Sequence, residues 1–206
     1  MGSFEQFLEF LKTDPESFEK VSSEAEPINS EISQRIGSRD YWQVSPRELK
    51  YIYAAVKIFG GRIIAETGVG PGTSSYAILK ASEGFKGHLY SFDLGEPYGK
   101  EKDMPVGFMV PDNYRERFTL ILGDTNETLE RNLIYFGPFD VFFHDSEHTF
   151  EHVMFELETA RKNLRSKFLI IVDNYDWSNA PEKFAEKYGY ILFHPFDDIC
   201  FIFPEP

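Results

Sequence analysis

From residue 62 onward the chain alternates between two hydrophobic patterns. Short, nearly continuous apolar runs at 62–67, 88–93, 118–122, 140–144 and 168–173 have the length and composition of strands. Between them, segments at about 73–82, 127–135 and 147–164 repeat apolar residues at helical spacing, and 95–117 is a loop-rich connection. Strands that are apolar on both faces and separated by helices imply a parallel sheet covered on both sides. The end of the chain breaks the alternation. Runs at 190–196 and 199–203 are joined only by Asp197 and Asp198, too short a link for anything but an antiparallel hairpin. The fold class is therefore α/β.

Ahead of the sheet, Ser45-Pro46-Arg47-Glu48 combines an N-cap serine, a proline in the first helical position and a glutamate three residues after the cap. Leu49, Ile52, Tyr53, Val56 and Phe59 continue as one apolar stripe, stopped by Gly60-Gly61. Residues 1–45 form an N-terminal helical extension to the main domain, 46–206. In it Phe4, Phe7, Leu8 and Leu11 recur at helical spacing, and an acidic, serine-containing stretch through Pro27 reads as a solvated linker. The aromatic helix packs either on its own core or on a second copy in a homo-oligomer.

Composition narrows the picture by exclusion. With 206 residues one core suffices. Thirty-four acidic residues against 21 basic give a formal charge of −13, which disfavours nucleic acid as a partner. The single cysteine, Cys200, excludes an intrachain disulfide and a multi-cysteine zinc site. The N-terminal residues carry no secretory or myristoylation pattern, and no apolar run is long enough for a bilayer. The expectation is a cytoplasmic protein with no membrane partner.

Candidate chemistry lies where a parallel sheet binds ligands, beyond the carboxyl ends of its strands. Glu66, Asp93, Asp124, Asp145 and Asp173 each fall at or just after an apolar run, which suggests an acidic rim around a ligand with hydroxyls, amines or a metal. After the first run comes "AETGVGPGTSS", with Gly68, Gly70 and Gly72 at every second position. Glycines there let backbone approach a ligand with the next helix N-terminus aimed at it. The dinucleotide pattern G-x-G-x-x-G puts its third glycine one residue later, where Ser75 stands.

The short spacing, led by Glu66, resembles the first motif of class I S-adenosylmethionine-dependent methyltransferases, E-x-G-x-G-x-G. The resemblance covers residues 45 to 206 and implies a Rossmann-like, doubly wound, mostly parallel seven-stranded sheet of order 3-2-1-4-5-7-6 with an antiparallel C-terminal hairpin. It gives the cofactor Glu66, Thr67, Gly68, Gly70, Gly72 and Ser74 around the glycine loop, with Ser74 as the carboxylate donor. Asp93 in "LYSFDL", followed by Leu94, would serve the ribose hydroxyls, and Asp124 with Thr125 in "LGDTNETL" would read the adenine. "YWQVSPRE" places backbone near Val44 and Ser45 at the amino-acid end of the cofactor.

Within the superfamily, "FFHDSEHTFEH" and "IIVDNYDWSNA" are similar to the metal-dependent small-molecule O-methyltransferases of the catechol, caffeoyl-coenzyme A and sugar types. That likeness implies Asp145, Asp173 and Asn174 as ligands of magnesium or another divalent cation, Asp145 also bordering the cofactor. His148, three residues after Asp145, stands where the sugar-modifying relatives carry their general base. The implied function is methyl transfer to a hydroxyl of a small-molecule acceptor. The 95–113 connection has the length of a lid, with Tyr98, Phe108 and Met109 as cover, or is a solvated connector. Trp177 lines the acceptor site or belongs to the core.

Three other readings compete. A dinucleotide-binding oxidoreductase would use Asp93 for a ribose too, and a non-catalytic module would keep the cofactor pocket without chemistry. His148-Thr149-Phe150-Glu151-His152 also satisfies H-x-x-E-H, an inverted zinc-protease signature.

Overall fold

A computed structural model describes residues 1–96, 103–196 and 198–205. Its sheet is built from β1 (Ile63–Thr67), β2 (His88–Asp93), β3 (Phe118–Leu122), β4 (Phe139–His144), β5 (Leu164–Asp173), β6 (Ile191–Phe196) and β7 (Ile199–Phe203). The strand order is 3-2-1-4-5-7-6, parallel from β3 through β5, with β7 antiparallel to both β5 and β6. Asp198, at φ 95°, lies in the turn between β6 and β7; Asp197 of the expected link lies outside the described residues. Central strands are apolar on both faces because helices cover both. Ile64, Val141, Phe143, Leu169 and Ile171 join one buried cluster, and Ala65, Phe142, Ile170 and Val172 the other.

The helices are α1 (Phe4–Leu11), α2 (Pro15–Ser23), α3 (Glu26–Ile36), α4 (Pro46–Phe59), α5 (Thr73–Ala81), α6 (Thr125–Phe136), α7 (Phe150–Arg161) and α8 (Ala180–Tyr188). The capping box at Ser45 is formed, with Ser45 and Glu48 exchanging bonds, and Gly60 closes α4 in the left-handed conformation. Two expectations need correction. The stretch after Leu11 is helix, not linker: Asp14 caps α2 from its side chain, and Phe18, Ile28, Ile32 and Ile36 bury one residue per turn or two. Helix α8 was not expected, although Pro181, Phe184, Ala185 and the left-handed Gly189 stop mark it.

The extension is part of the core. Phe7 and Phe10 are buried, and Phe7 lies 4.8 Å from the ring of Phe201 on β7. Arg35, at the end of α3, donates to the carbonyls of Phe108 and Met109 at 2.9 and 3.0 Å. That segment in turn lies on the glycine loop: Gly107 N donates to Gly70 O and Met109 N to Pro71 O, both at 2.9 Å. Met109 is fully buried and Phe108 packs on Tyr41 at 5.2 Å, so this part of the 95–113 connection is packed against the glycine loop. Tyr98 lies outside the described residues.

Candidate active site

Strand register sets the site. Thr67, His144 and Val172 stand side by side in β1, β4 and β5, so Gly68, Asp145 and Asp173 follow together at the carboxyl edge. Asp145 N bonds to Thr67 O at 2.9 Å, which turns the chain across the top of β1. A Cβ on Gly68 would fall 1.7 Å from the Asp145 carbonyl oxygen, and φ there is +75°. This glycine is required by chain crossing chain. Gly72 is required in the same way, since its Cβ would meet Gly107 Cα at 2.9 Å. Gly70 differs: φ is +49° and its nearest neighbour would be the Trp42 carbonyl at 3.5 Å, so it lies open beside the 41–45 segment.

The acidic residues divide into three kinds. Glu66 is off the rim and fully buried, with its Oε1 accepting from Ser74 at 2.7 Å and its Oε2 from Ser75 at 2.6 Å and Ser91 at 2.7 Å. Burial pushes its carboxyl up, against those three bonds. The Ser74 hydroxyl, expected to serve a cofactor carboxylate, donates to Glu66 here. Asp93 fastens the loop from the next strand, its Oδ2 accepting from Val69 N at 2.9 Å and Gly70 N at 3.1 Å, its Oδ1 from Gly95 N at 2.7 Å. Each oxygen of a carboxylate has two lone-pair sites, so Oδ1 keeps one for a hydroxyl.

Leu94 and Leu122 stand exposed beyond Asp93 at the ends of β2 and β3. Asp124 is exposed and caps α6 through Asn126 N at 2.8 Å, a bond that lowers its pKa. Thr125 is buried, with Oγ1 3.2 Å from His152 Nε2. Val44 is buried just before the α4 cap, and Thr67 Oγ1 donates inward to Glu156 at 2.5 Å.

The third kind is a carboxylate pair. Burial and the Asp173 charge raise Asp145 well above the usual range; burial and Glu48 raise Asp173 to about 8. The two carboxyl groups are close enough to share a hydrogen bond, and Asp173 Oδ2 also accepts from Asn174 Nδ2 at 2.9 Å. Asn174 holds a left-handed backbone at φ 48°. His148 completes the group, its Nε2 lying 3.3 Å from Asn174 Nδ2 and 3.9 Å from Asp145 Oδ1, with the ring edge-on to the exposed Trp177 at 5.2 Å. Burial, and next the His144 ring, pull His148 down to about 4. Two crowded carboxylates and an amide suit a hard cation that prefers oxygen ligands. Among the described residues no group of three or more His, Cys, Asp or Glu side chains is arranged to hold a metal ion, so such a site would need Asn174 as its third protein ligand.

The zinc-protease pattern is not assembled. His148 turns to Asn174, whereas His152 Nε2 turns to Glu156 at 2.9 Å. The sequence reading missed Glu156 and His144, buried partners at 2.7 Å behind the site. Their pairing depends on how α7 lies on β4, and spacing alone gave no signal for it.

Comparison with known proteins places this arrangement in a class. A family model described as "Methyltransferase domain" matches residues 65–175, more than half of the chain, and the chain belongs to that family. Its fold is shared with solved structures described as methyltransferases. No curated protein matches the sequence.

Among solved structures, an S-adenosylhomocysteine-bound methyltransferase of Podospora anserina, PaMTH1, shares 17% identity at a TM-score of 0.62, over 92% of this chain and 95% of its own. A putative caffeoyl-CoA O-methyltransferase of Staphylococcus aureus shares 16% at 0.63, over 87% and 91%. MycE, a methyltransferase of the mycinamycin biosynthetic pathway solved with magnesium and S-adenosylhomocysteine, shares 19% at 0.57, over 87% of this chain and 55% of its own. At these identities the likeness is one of fold. Among the described residues no helix is long and apolar enough to cross a membrane.

Proposed function

We propose that this enzyme methylates a hydroxyl of a small molecule, with Asp145, Asp173 and Asn174 holding a divalent cation and His148 accepting the hydroxyl proton. The observation that carries the reading is the convergence of His148 Nε2 on Asn174 and Asp145, beside the Asp145–Asp173 carboxylate pair. MycE, whose structure contains magnesium, lends the cation support by its fold.

In this reading the uncrowded Cα side of Gly70, the carbonyl of Trp42 and the free lone pair of Asp93 Oδ1 face the cofactor, with Leu94, Asp124 and Thr125 on its adenine side. Glu66 and Ser74 act from beneath by fixing the start of α5. S-Adenosylmethionine supplies an electrophilic methyl group; a divalent cation would lower the pKa of the acceptor hydroxyl and orient it. His148, pulled down to about 4, is unprotonated at neutral pH, so its Nε2 lone pair is available there. Holding the acceptor oxygen in line with the methyl group is the larger part of the work, because collinear placement removes most of the entropic barrier. Trp177 offers an apolar face at the mouth.

Calorimetric titration with S-adenosylhomocysteine, with and without magnesium and against NAD, tests the cofactor assignment. Micromolar binding of the first and no heat from NAD is the expected result; the reverse would return the glycine loop to the dinucleotide class. Loss of turnover in His148→Ala with cofactor affinity intact would separate an enzyme from a binding module.

A further inference from the structure

Helix α3, in the N-terminal extension, grips the glycine loop from outside at two points. Arg35 donates to the carbonyls of Met109 and Phe108 at 3.0 and 2.9 Å, and Gly107 N and Met109 N donate onward to the carbonyls of Gly70 and Pro71, both at 2.9 Å. One turn back along α3, Glu31 accepts from the Tyr76 hydroxyl at 2.8 Å, and Tyr76 lies in the first turn of α5, the helix into which the glycine loop leads. Glu31 and Arg35 are 3.5 Å apart, so one turn of α3 closes a circuit from the loop back to the helix that follows it. The segment after α3 adds a second hold. Asp103 accepts from the Tyr41 hydroxyl at 2.5 Å and lies 3.7 Å from Arg39, and the next residue, Trp42, brings its carbonyl to the uncrowded side of Gly70.

These bonds are not what keeps α3 in the fold. Ile28, Ile32 and Ile36 bury it, and Asn29 donates to the Pro46 carbonyl at 3.0 Å. Arg35 and Glu31 keep 37% and 43% of their side-chain surface exposed, and an ion pair that open to water adds little to stability. What the contacts constrain is the loop. Asp93 holds its amides at Val69 and Gly70, and the 107–109 segment, gripped by Arg35, holds its carbonyls at Gly70 and Pro71. A loop fixed from both sides before its ligand arrives loses less freedom on binding, which raises affinity.

We propose that Glu31 and Arg35 are positioning residues for the cofactor, acting through Tyr76, Phe108 and Met109 to hold the glycine loop in its binding shape. Cofactor affinity is then set in part by the N-terminal extension. The proposal rests on the reading of this loop as the cofactor loop. By linkage, a bound ligand must tighten the clasp by the factor by which the clasp tightens the ligand.

Two readouts test it: calorimetric affinity for S-adenosylhomocysteine, and amide hydrogen exchange followed by NMR. The Gly107 and Met109 amides report the junction with the glycine loop, and the Phe201 amide, on β7 between β5 and β6, reports global stability. Arg35→Ala is expected to weaken binding by about fivefold to tenfold and to speed exchange at Gly107 and Met109 but not at Phe201. Arg35→Lys, which keeps the charge and a donor, should recover part of both. Tyr76→Phe, which removes only the hydroxyl bonded to Glu31, should act in the same direction as Arg35→Ala.

Unchanged affinity in Arg35→Ala and Tyr76→Phe would overturn the proposal. So would lost affinity with unchanged exchange at Gly107 and Met109, which would put Arg35 on the cofactor itself, or with exchange equally faster at Phe201, a general loss of stability. Should Arg35→Ala fail to fold, Tyr76→Phe decides through the same two readouts. An unaltered chain that bound no S-adenosylhomocysteine would defeat the cofactor reading; exchange in the ligand-free variants would then decide whether α3 holds the loop, faster rates at Gly107 and Met109 supporting the clasp and unchanged rates overturning it.

Discussion

Asp145 and Asp173, at the edge of neighbouring strands, form a carboxylate pair in which both groups have raised proton affinity. Burial is the first cause for each; the Asp173 charge adds to it at Asp145, and Glu48 adds to it at Asp173. The folded chain therefore keeps protons that the unfolded chain has released. Their stabilisation is complete below the unfolded value of about 4 and is lost as pH rises through the folded value, about 8 for Asp173.

With divalent cations removed, the contribution of this pair should make the protein melt at a lower temperature at pH 8 than at pH 5, and Asp145→Asn should reduce that difference. Magnesium or manganese at millimolar concentration should raise the melting temperature at pH 8 in the unaltered protein and not in Asp145→Asn. Differential scanning calorimetry at the two pH values reads all three outcomes. Indifference of the unaltered protein to both metals would take the cation out of the mechanism.

Gly68 and Gly70 are two residues apart and should fail in different ways. Alanine at 68 must displace the Asp145 carbonyl and hold φ +75°, so Gly68→Ala should cost several kcal/mol, roughly 2–4. Alanine at 70 meets nothing closer than 3.5 Å and is strained only by φ +49°. Its cost should be about 1 kcal/mol, while the new methyl group intrudes on the open side of the loop. Chemical denaturation paired with S-adenosylhomocysteine titration should show Gly68→Ala losing stability first and Gly70→Ala losing affinity first. Equal effects of the two substitutions on affinity at equal stability would remove the distinction.

The sheet was legible because buried parallel strands read as unbroken apolar runs, and Asp198 left β6 and β7 no room for a crossover. The first helices were less so: α2 and α3 bury Phe18, Ile28, Ile32 and Ile36 among acidic and serine residues, and that thin stripe resembles a solvated linker. Position at a strand end brings Asp93, Asp145 and Asp173 to the carboxyl edge of the sheet, whereas Glu66 lies buried beneath it. Alternation along β1 sends Glu66 inward to three serines, one of which, Ser74, had been assigned to the cofactor. Glu156 and His144 were illegible because only the docking of α7 on β4 brings residues twelve apart into a bond.

The burial of Glu66 leads to its own test. Glu66→Ala leaves three buried hydroxyls without their acceptor and should cost roughly 3–5 kcal/mol, with cofactor affinity falling as the start of α5 loosens. Glu66→Gln retains the shape and one full acceptor, and a serine hydroxyl can turn to accept from the new amide. It should stay within about 1–2 kcal/mol of the unaltered protein and bind S-adenosylhomocysteine within a few-fold. Thermal melts with and without that ligand compare the two variants. A Glu66→Gln protein of normal stability that no longer bound the ligand would mean that this carboxylate touches the cofactor itself.

His148 and Trp177 offer the last separation, between chemistry and acceptor binding. The two rings meet edge to face at 5.2 Å, yet His148 is held among Asn174 and Asp145 whereas Trp177 is 68% exposed. In the proposed roles, a half-buried base and an exposed aromatic wall should divide kcat from KM. His148→Ala is expected to lower kcat by about a hundredfold or more with little change in acceptor KM. Trp177→Ala is expected to raise acceptor KM with kcat nearly kept, because the ring contributes to binding in ground state and transition state alike. Neither substitution should move S-adenosylhomocysteine affinity, since the proposed reading assigns neither ring to the cofactor. Steady-state kinetics on the first acceptor found by screening hydroxylated small molecules will show the division. A Trp177→Ala defect confined to kcat would instead mean that the indole orients His148, and would move Trp177 from the acceptor wall into the support of the base.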